Sequence, residues 1–246
     1  QNIHLNPFQK DGNEDEKTIK QLQDFLKMKH EHSFFSFAML NSVHNYCLPQ
    51  NYSKIYKTQE CNRLQFSSQS FKSVLIPRYN NAVHHIDTLL SKIFETLQQT
   101  HLEDNTIVII TSDHGENFND YHNNLWGHSN SYTPSLLHVP LFIHLPHHSK
   151  QTINYQTTHY DIPTTLLKLI FNFTQKNKEH MIGNDLFTKK YSPFFLAGSY
   201  VTLAIVTPHA YYIFDSEGDL KAFNQRAEAL PRQQINREYF YKALHL

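Results

Sequence analysis

The sequence predicts an α/β fold, with a mostly parallel central sheet flanked by helices and a small antiparallel addition near the C-terminal end. Three observations carry this. Ile107, Val108, Ile109 and Ile110 form a continuous β-branched block, which suits a strand buried on both faces. Apolar residues from Ala82 to Leu97 recur at three- and four-residue steps, giving a helix able to cover a sheet. Beyond Gly183 the helical period gives way to short apolar runs separated by turn residues, the pattern of antiparallel strands. At 246 residues the chain is within the size of one domain and can bury a substantial core. It reads as an α/β segment over 1–190 and a β-rich subdomain over 191–246, with no internal repeat and no clear linker.

Each element has a local reason. Asn13 followed by Glu16 resembles a capping box, and Ile19, Leu22, Phe25 and Leu26 mark one helical face to about Lys29. Phe34 to Leu40 reads as a strand. Gln50 to Ser70 is polar and aperiodic, hence a loop with short helical pieces. In the long helix, Ala82, Val83, Ile86, Leu89, Leu90, Ile93, Phe94 and Leu97 form the apolar stripe. His84 lies beside it and His85 one step off, and both read as structural. A second strand spans Leu141 to Leu145, and Pro146 with the polar residues after it forms a loop. Asp161 and Pro163 set a helix start, the acid favouring the positive end of the dipole and the proline needing no donor there. Phe194 to Thr207 and Tyr211 to Phe214, with turns at Pro208 and at Ser216-Glu217-Gly218, form the antiparallel addition.

Composition narrows the chemistry by exclusion. Lys plus Arg equals Asp plus Glu at 22 each, so there is no basic excess to draw nucleic acid or to hold the chain on anionic membranes. No apolar run reaches the roughly 18 residues of a spanning helix, and the N-terminal residues lack the regions of a signal peptide. Two cysteines, Cys47 and Cys61, permit one disulfide or two free buried thiols. The 18 histidines are scattered, and most read as solvent-facing.

The richest stretch runs from Thr106 to Pro146. An apolar strand delivers Asp113 and His114 to its carboxyl end, where α/β sheets collect ligands. A carboxylate and a neutral imidazole are both good donors to a divalent cation. Gly115 allows a sharp turn so that both side chains can project together. His128 follows in Gly127-His128, and Asn117, Asn119 and Asp120 read as loop-orienting or turn residues. His159 reads as a packing or capping neighbour.

This stretch resembles the sulfatase and phosphoethanolamine-transferase branch of the alkaline phosphatase superfamily, in which a strand ending in S-D-H-G-E is followed by a G-H or G-K loop and a V-P-L strand. Phe34 to Pro49, Arg78 to Leu97 and Thr158 to Leu169 are similar to further segments of the family. Gly183 to Phe187, Leu203 to Thr207 and Tyr212 to Ala227 resemble the end of a group of sulfatase-like inner-membrane proteins of Gram-negative bacteria.

The resemblance implies an alkaline-phosphatase-like sandwich, a periplasmic location at the inner membrane, and a membrane-spanning region outside this chain. It implies a divalent metal (zinc, calcium, magnesium or manganese) held by Asp113 and His114, and metal-dependent hydrolysis or transfer of a phosphate or sulfate ester, with a lipid headgroup as one candidate substrate. His128 matches a position that meets the transferred group or a second metal, and His44 one that contacts the substrate oxyanion or protonates the leaving group. The family's Thr, Ser or Cys nucleophile and a further acidic ligand lie before the segment that Gln1 to Lys29 resembles, so the chain is expected to be the C-terminal portion of a larger domain. The family's acidic residue and arginine before the V-P strand have no counterpart in Tyr132 to His138. The alternative implied by the same group is a catalytically quiet module that binds lipid A, lipopolysaccharide or partner proteins.

Overall fold

A computed structural model describes residues 13–46, 48–49, 52–58, 71–128, 131–173, 182–190, 192–215, 217–231 and 238–243. Cys47 and Cys61 lie outside these, and so does most of the polar stretch from Gln50 to Ser70. The chain divides into two compact units, 1–109 with 142–148, and 110–141 with 149–246.

In the first unit, helix α1 (Glu14–Leu26) packs on helix α3 (Phe71–Gln99). Their buried residues are Ile19, Leu26, Leu89, Ile93 and Leu97, flanked by Leu22, Phe25, Phe34, Leu40, Leu102 and Val108. The expected capping box does not form, since Asn13 makes no side-chain cap bond. Asp15 is instead buried and turned to another task. Its two oxygens accept the backbone N–H groups of Asn41 and Ser42, both at 2.7 Å, which anchors the one-turn helix α2 (Ser42–Asn45) that carries His44.

Helix α3 begins well before the apolar stripe and contains Pro77, which removes one backbone hydrogen bond and is tolerated where tertiary contacts hold the helix. Its buried face is shifted from the expected one. Asn81, His85, Leu89, Ile93 and Leu97 recur every four residues and are buried, whereas Val83 and Phe94 are exposed. His85 thus sits on the buried stripe rather than one step off it. Asn81 repays its burial by accepting from the N–H groups of Ile55 and Tyr56 and donating to the Tyr56 carbonyl.

The strand expected at 34–40 does not form. Its residues are without regular structure, with Phe35, Phe37 and Met39 each more than half exposed. A strand exists only through a neighbour's hydrogen bonds, and no described segment pairs with this one. The β-branched block does form β1 (Val108–Thr111), which pairs with β4 (Leu141–His144), but it is not buried on both faces as expected, its first three residues being half-buried and Thr111 exposed.

In the second unit, β2 (Asn117–Phe118) and β3 (Trp126–Gly127) make a short antiparallel pair, with Asn117 opposite Gly127. The one-turn helix α4 (Pro134–Leu137) follows. Helix α5 (Asp161–Phe171) starts at the expected acid. The Asp161 side chain is buried and accepts from the N–H groups of Thr158 at 2.7 Å and Asn184 at 2.6 Å, so it joins three segments as well as facing a helix start. The antiparallel addition is a four-stranded meander of β5 (Phe195–Gly198), β6 (Thr202–Val206), β7 (Ala210–Asp215) and β8 (Leu220–Asn224). One face buries Phe194, Ile205, Ala210, Tyr212 and Ala222; the other buries Ala204, Val206, Tyr211 and Tyr132, the last with its hydroxyl bonded to Thr202. The terminal helix α6 (Glu238–Ala243) lays Tyr239 and Ala243 on the first of these faces.

Candidate functional site

The turn after β1 is built by its own side chains. Ser112 Oγ donates to the His114 carbonyl at 2.6 Å, and Asp113 Oδ1 accepts the His114 N–H at 3.0 Å. From outside, His159 Nε2 meets the Ser112 carbonyl at 2.8 Å. His159, expected as a packing or capping neighbour, thus bonds to the turn that carries Asp113 and His114.

Gly115 is needed here for proximity rather than for a left-handed turn. A Cβ at this position would stand 2.1 Å from the Ser135 carbonyl oxygen, and the Gly115 N–H donates to the Leu136 carbonyl at 2.7 Å. The turn is thereby pressed onto the segment that forms α4.

Two imidazoles and two carboxylates meet in this turn. Asp113 Oδ2 lies 3.8 Å from His114 Nε2, too far for a hydrogen bond, but within the roughly 4.2 Å that two donors at about 2.1 Å from one cation can span. His114 Nδ1 lies 2.8 Å from the Gly115 carbonyl. A carbonyl only accepts, so Nδ1 carries a proton, and in the neutral ring the lone pair then resides on Nε2, the nitrogen facing Asp113. The His114 and His128 rings have centroids 4.6 Å apart at 31°. Behind His128, Glu116 Oε2 stands 3.3 Å from Nδ1. Exposure separates the roles: the Asp113 side chain is 72% exposed and that of His114 40%, against 6% for Glu116.

The loop between the two histidines is held both at its base and from within. Asn117, 1% exposed, donates to Ser131 Oγ at 3.2 Å and accepts from Thr133 Oγ1 at 3.1 Å, and the two hydroxyls are 3.3 Å apart. Asn119 adopts φ 58° and accepts from the Asn124 N–H at 2.7 Å, while Asp120 accepts from the Phe118 N–H at 3.1 Å. Asn119 and Asp120 thus bond within the loop, while Asn117 ties its base to the segment after His128. Gly127, at φ 78°, is where the left-handed region does require glycine.

His44 is exposed on α2 in the first unit, and the cluster above belongs wholly to the second. Among the described residues no group of three or more His, Cys, Asp or Glu side chains is placed to hold a metal ion. The donors in hand are the Asp113–His114 pair, which suits a divalent cation by chemistry and spacing but supplies only part of a coordination shell. Sequence reasoning missed Glu116 and the Asn117–Ser131–Thr133 network. Glu116 follows the Asp-His-Gly run directly, so a carboxylate beside predicted ligands was the available signal; the network joins residues 14 and 16 positions apart and had none.

This arrangement, an acid and imidazole at the end of a strand with a second histidine returned by a short β pair, sits on the alkaline phosphatase fold. The structure resembles a Vibrio parahaemolyticus protein of the alkaline phosphatase superfamily, with TM-score 0.60 and 20% identity, covering 93% of this chain and 50% of that one. It also resembles the phosphonate monoester hydrolase of Agrobacterium radiobacter, with TM-score 0.70 and 16% identity, covering 97% and 61%. The sulfatase family model matches residues 1–172, and the chain belongs to the sulfatase family. Within it, the chain is related to the inner membrane protein YejM of Salmonella typhimurium, being 29% identical over 160 residues, 65% of this chain and 26% of that protein. An uncharacterized Haemophilus influenzae protein is 30% identical over 148 residues, 60% and 24% of the two chains. The chain spans about a quarter of the length of these relatives. No described helix is long and apolar enough to cross a membrane.

Proposed function

We propose that this chain carries the metal-ligand turn of a sulfatase-like domain that hydrolyses or transfers a phosphate or sulfate ester on the periplasmic face of the inner membrane. The observation that carries this reading is the convergence of Asp113 and His114 beside His128, with the His114 lone pair directed at the carboxylate. Asp113 and His114 would hold a divalent cation together with donors from outside the described residues. Such a cation neutralises ester oxygens and lowers the pKa of an attacking group when bound. His128, beside His114, contacts the transferred group or a second cation. His44 is assigned to the substrate oxyanion or leaving group by its match to the family. The likeness to an inner membrane protein supports the location, and a lipid headgroup is the ester that location would present.

The test is metal content of the full-length protein, purified beside Asp113→Ala and His114→Ala. Bound zinc, manganese, calcium or magnesium in the wild type, reduced to background in both variants, is the expected result. Equal occupancy in all three removes the assignment.

A second reading has its own support. The relative YejM is an inner membrane protein, a setting in which lipid can be bound without being cleaved. On this reading the domain binds lipid A, lipopolysaccharide or a partner protein without turnover. Lipid A binding that is unchanged by Asp113→Ala, in a protein without ester hydrolase activity, would favour it.

A further inference from the structure

Glu116 is a buried carboxylate with an unusual pair of surroundings. Oε2 stands 3.3 Å from His128 Nδ1, while Oε1 is buried with no hydrogen-bond partner. The side chain is 6% exposed, so water does not solvate it freely, whereas the His128 side chain it meets is 28% exposed. Gly127 borders this contact: a Cβ there would lie 3.6 Å from Oε1, an ordinary contact, so its φ of 78° rather than the carboxylate is what calls for glycine. The β2–β3 pairing fixes the two partners on adjoining strands, with Glu116 just before β2 and His128 just after β3. A buried carboxylate left half satisfied is costly to a fold. Here its placement does one thing that packing alone would not: it selects which nitrogen of an imidazole keeps its proton.

We propose that Glu116 is a positioning residue, whose carboxylate takes the Nδ1 proton of His128 in a hydrogen bond and so keeps the imidazole lone pair on Nε2 for a cation or ester oxygen. The proposal deepens the metal-ester reading above and rests on it for the purpose of the lone pair, though not for its position. The two site histidines would then be set alike: His114 by the Gly115 carbonyl and His128 by a carboxylate, each presenting Nε2.

The experiment is nitrogen-15 NMR of the histidine rings in the metal-free chain at a pH where they are neutral, for the wild type, Glu116→Gln and Glu116→Leu. His128 in the wild type is expected to be the Nδ1–H tautomer. Both variants are expected to move it toward Nε2–H, the tautomer histidine favours on its own, and leucine more than glutamine. Glutamine nearly preserves the shape of the side chain, so it keeps the test sound if leucine unfolds the loop. Wild-type tautomer populations in a folded variant would overturn the proposal. Zinc titration of the same proteins separates the two claims. A shifted tautomer with zinc affinity lowered about 10- to 100-fold supports both, and a shifted tautomer in a chain that binds no zinc even as wild type leaves the positioning role standing while the metal reading falls.

Discussion

At the residue scale, the fold depends on two positions where a small change of volume or charge has nowhere to go. Gly115→Ala would place a methyl group 2.1 Å from the Ser135 carbonyl, and relief requires moving backbone on one side or the other. Overpacking of this kind costs about 1–3 kcal/mol, so a fall in the urea midpoint of that size is expected, together with loss of ordered His114 and His128 resonances. His85 is the second position. Burial lowers its pKa below 6.5, opposed by the charges of Glu16 and Asp15 and assisted by those of Lys92 and His84. The neutral form is therefore the one the fold favours. Its contribution is complete above the unfolded pKa near 6.5 and is lost as pH falls through the lower folded value. The decline in urea midpoint between pH 7 and pH 5 should thus be shallower in His85→Leu than in the wild type. The same residue shows a limit of sequence reading. Counting apolar residues placed His85 off the helix stripe, because the buried face is defined by the four-residue series through Asn81, Leu89 and Ile93, two of whose members are polar.

At the element scale, the contrast between two expected strands is instructive. The 107–110 block formed β1 because it has β4 as a neighbour, while 34–40, equally strand-like in composition, has no described partner. Pairing is a non-local property that propensity does not encode. Helices were more legible, since their bonds close within four residues: α5 begins at the acid that marked it, and α3 contains the whole predicted stripe. The site divides in the same way. Asp113 and His114 lie together by adjacency, but His128 reaches them through the β2–β3 pair, which only coordinates reveal. The packing of α1 on α3 gives the element-scale prediction. Leu89 is 1% exposed in the cluster with Ile19, Leu26, Ile93 and Leu97, and Leu89→Ala should cost about 2–5 kcal/mol, read as a lowered urea midpoint by helical circular dichroism.

At the scale of the whole molecule, the chain spans half to about three fifths of the solved proteins whose fold it shares. It also presents a good deal of apolar surface. Phe35 is 85% exposed, Phe37 80% and Phe142 65%, all in the first unit. Exposed groups of this size are associated with interaction sites or with aggregation. The 246-residue chain on its own should therefore self-associate as its concentration rises, and Phe35→Ser with Phe37→Ser should reduce this in sedimentation velocity. A chain that stays monomeric at high concentration would remove the expectation. The fold class was legible because it rests on the order of helices and strands, whereas the exposure of Phe35, Phe37 and Phe142 was not, since placing them in strands does not say which side chains a neighbour covers.

The hairpin between Phe118 and Trp126 closes on one further consequence. Its base is clamped by the Asn117 hydroxyl network and by Gly127, and its tip turns through Asn119, His122 and Asn124 at positive φ. Length and chemistry at that tip can therefore diverge among relatives, by insertion or exchange, while the imidazoles below keep their address.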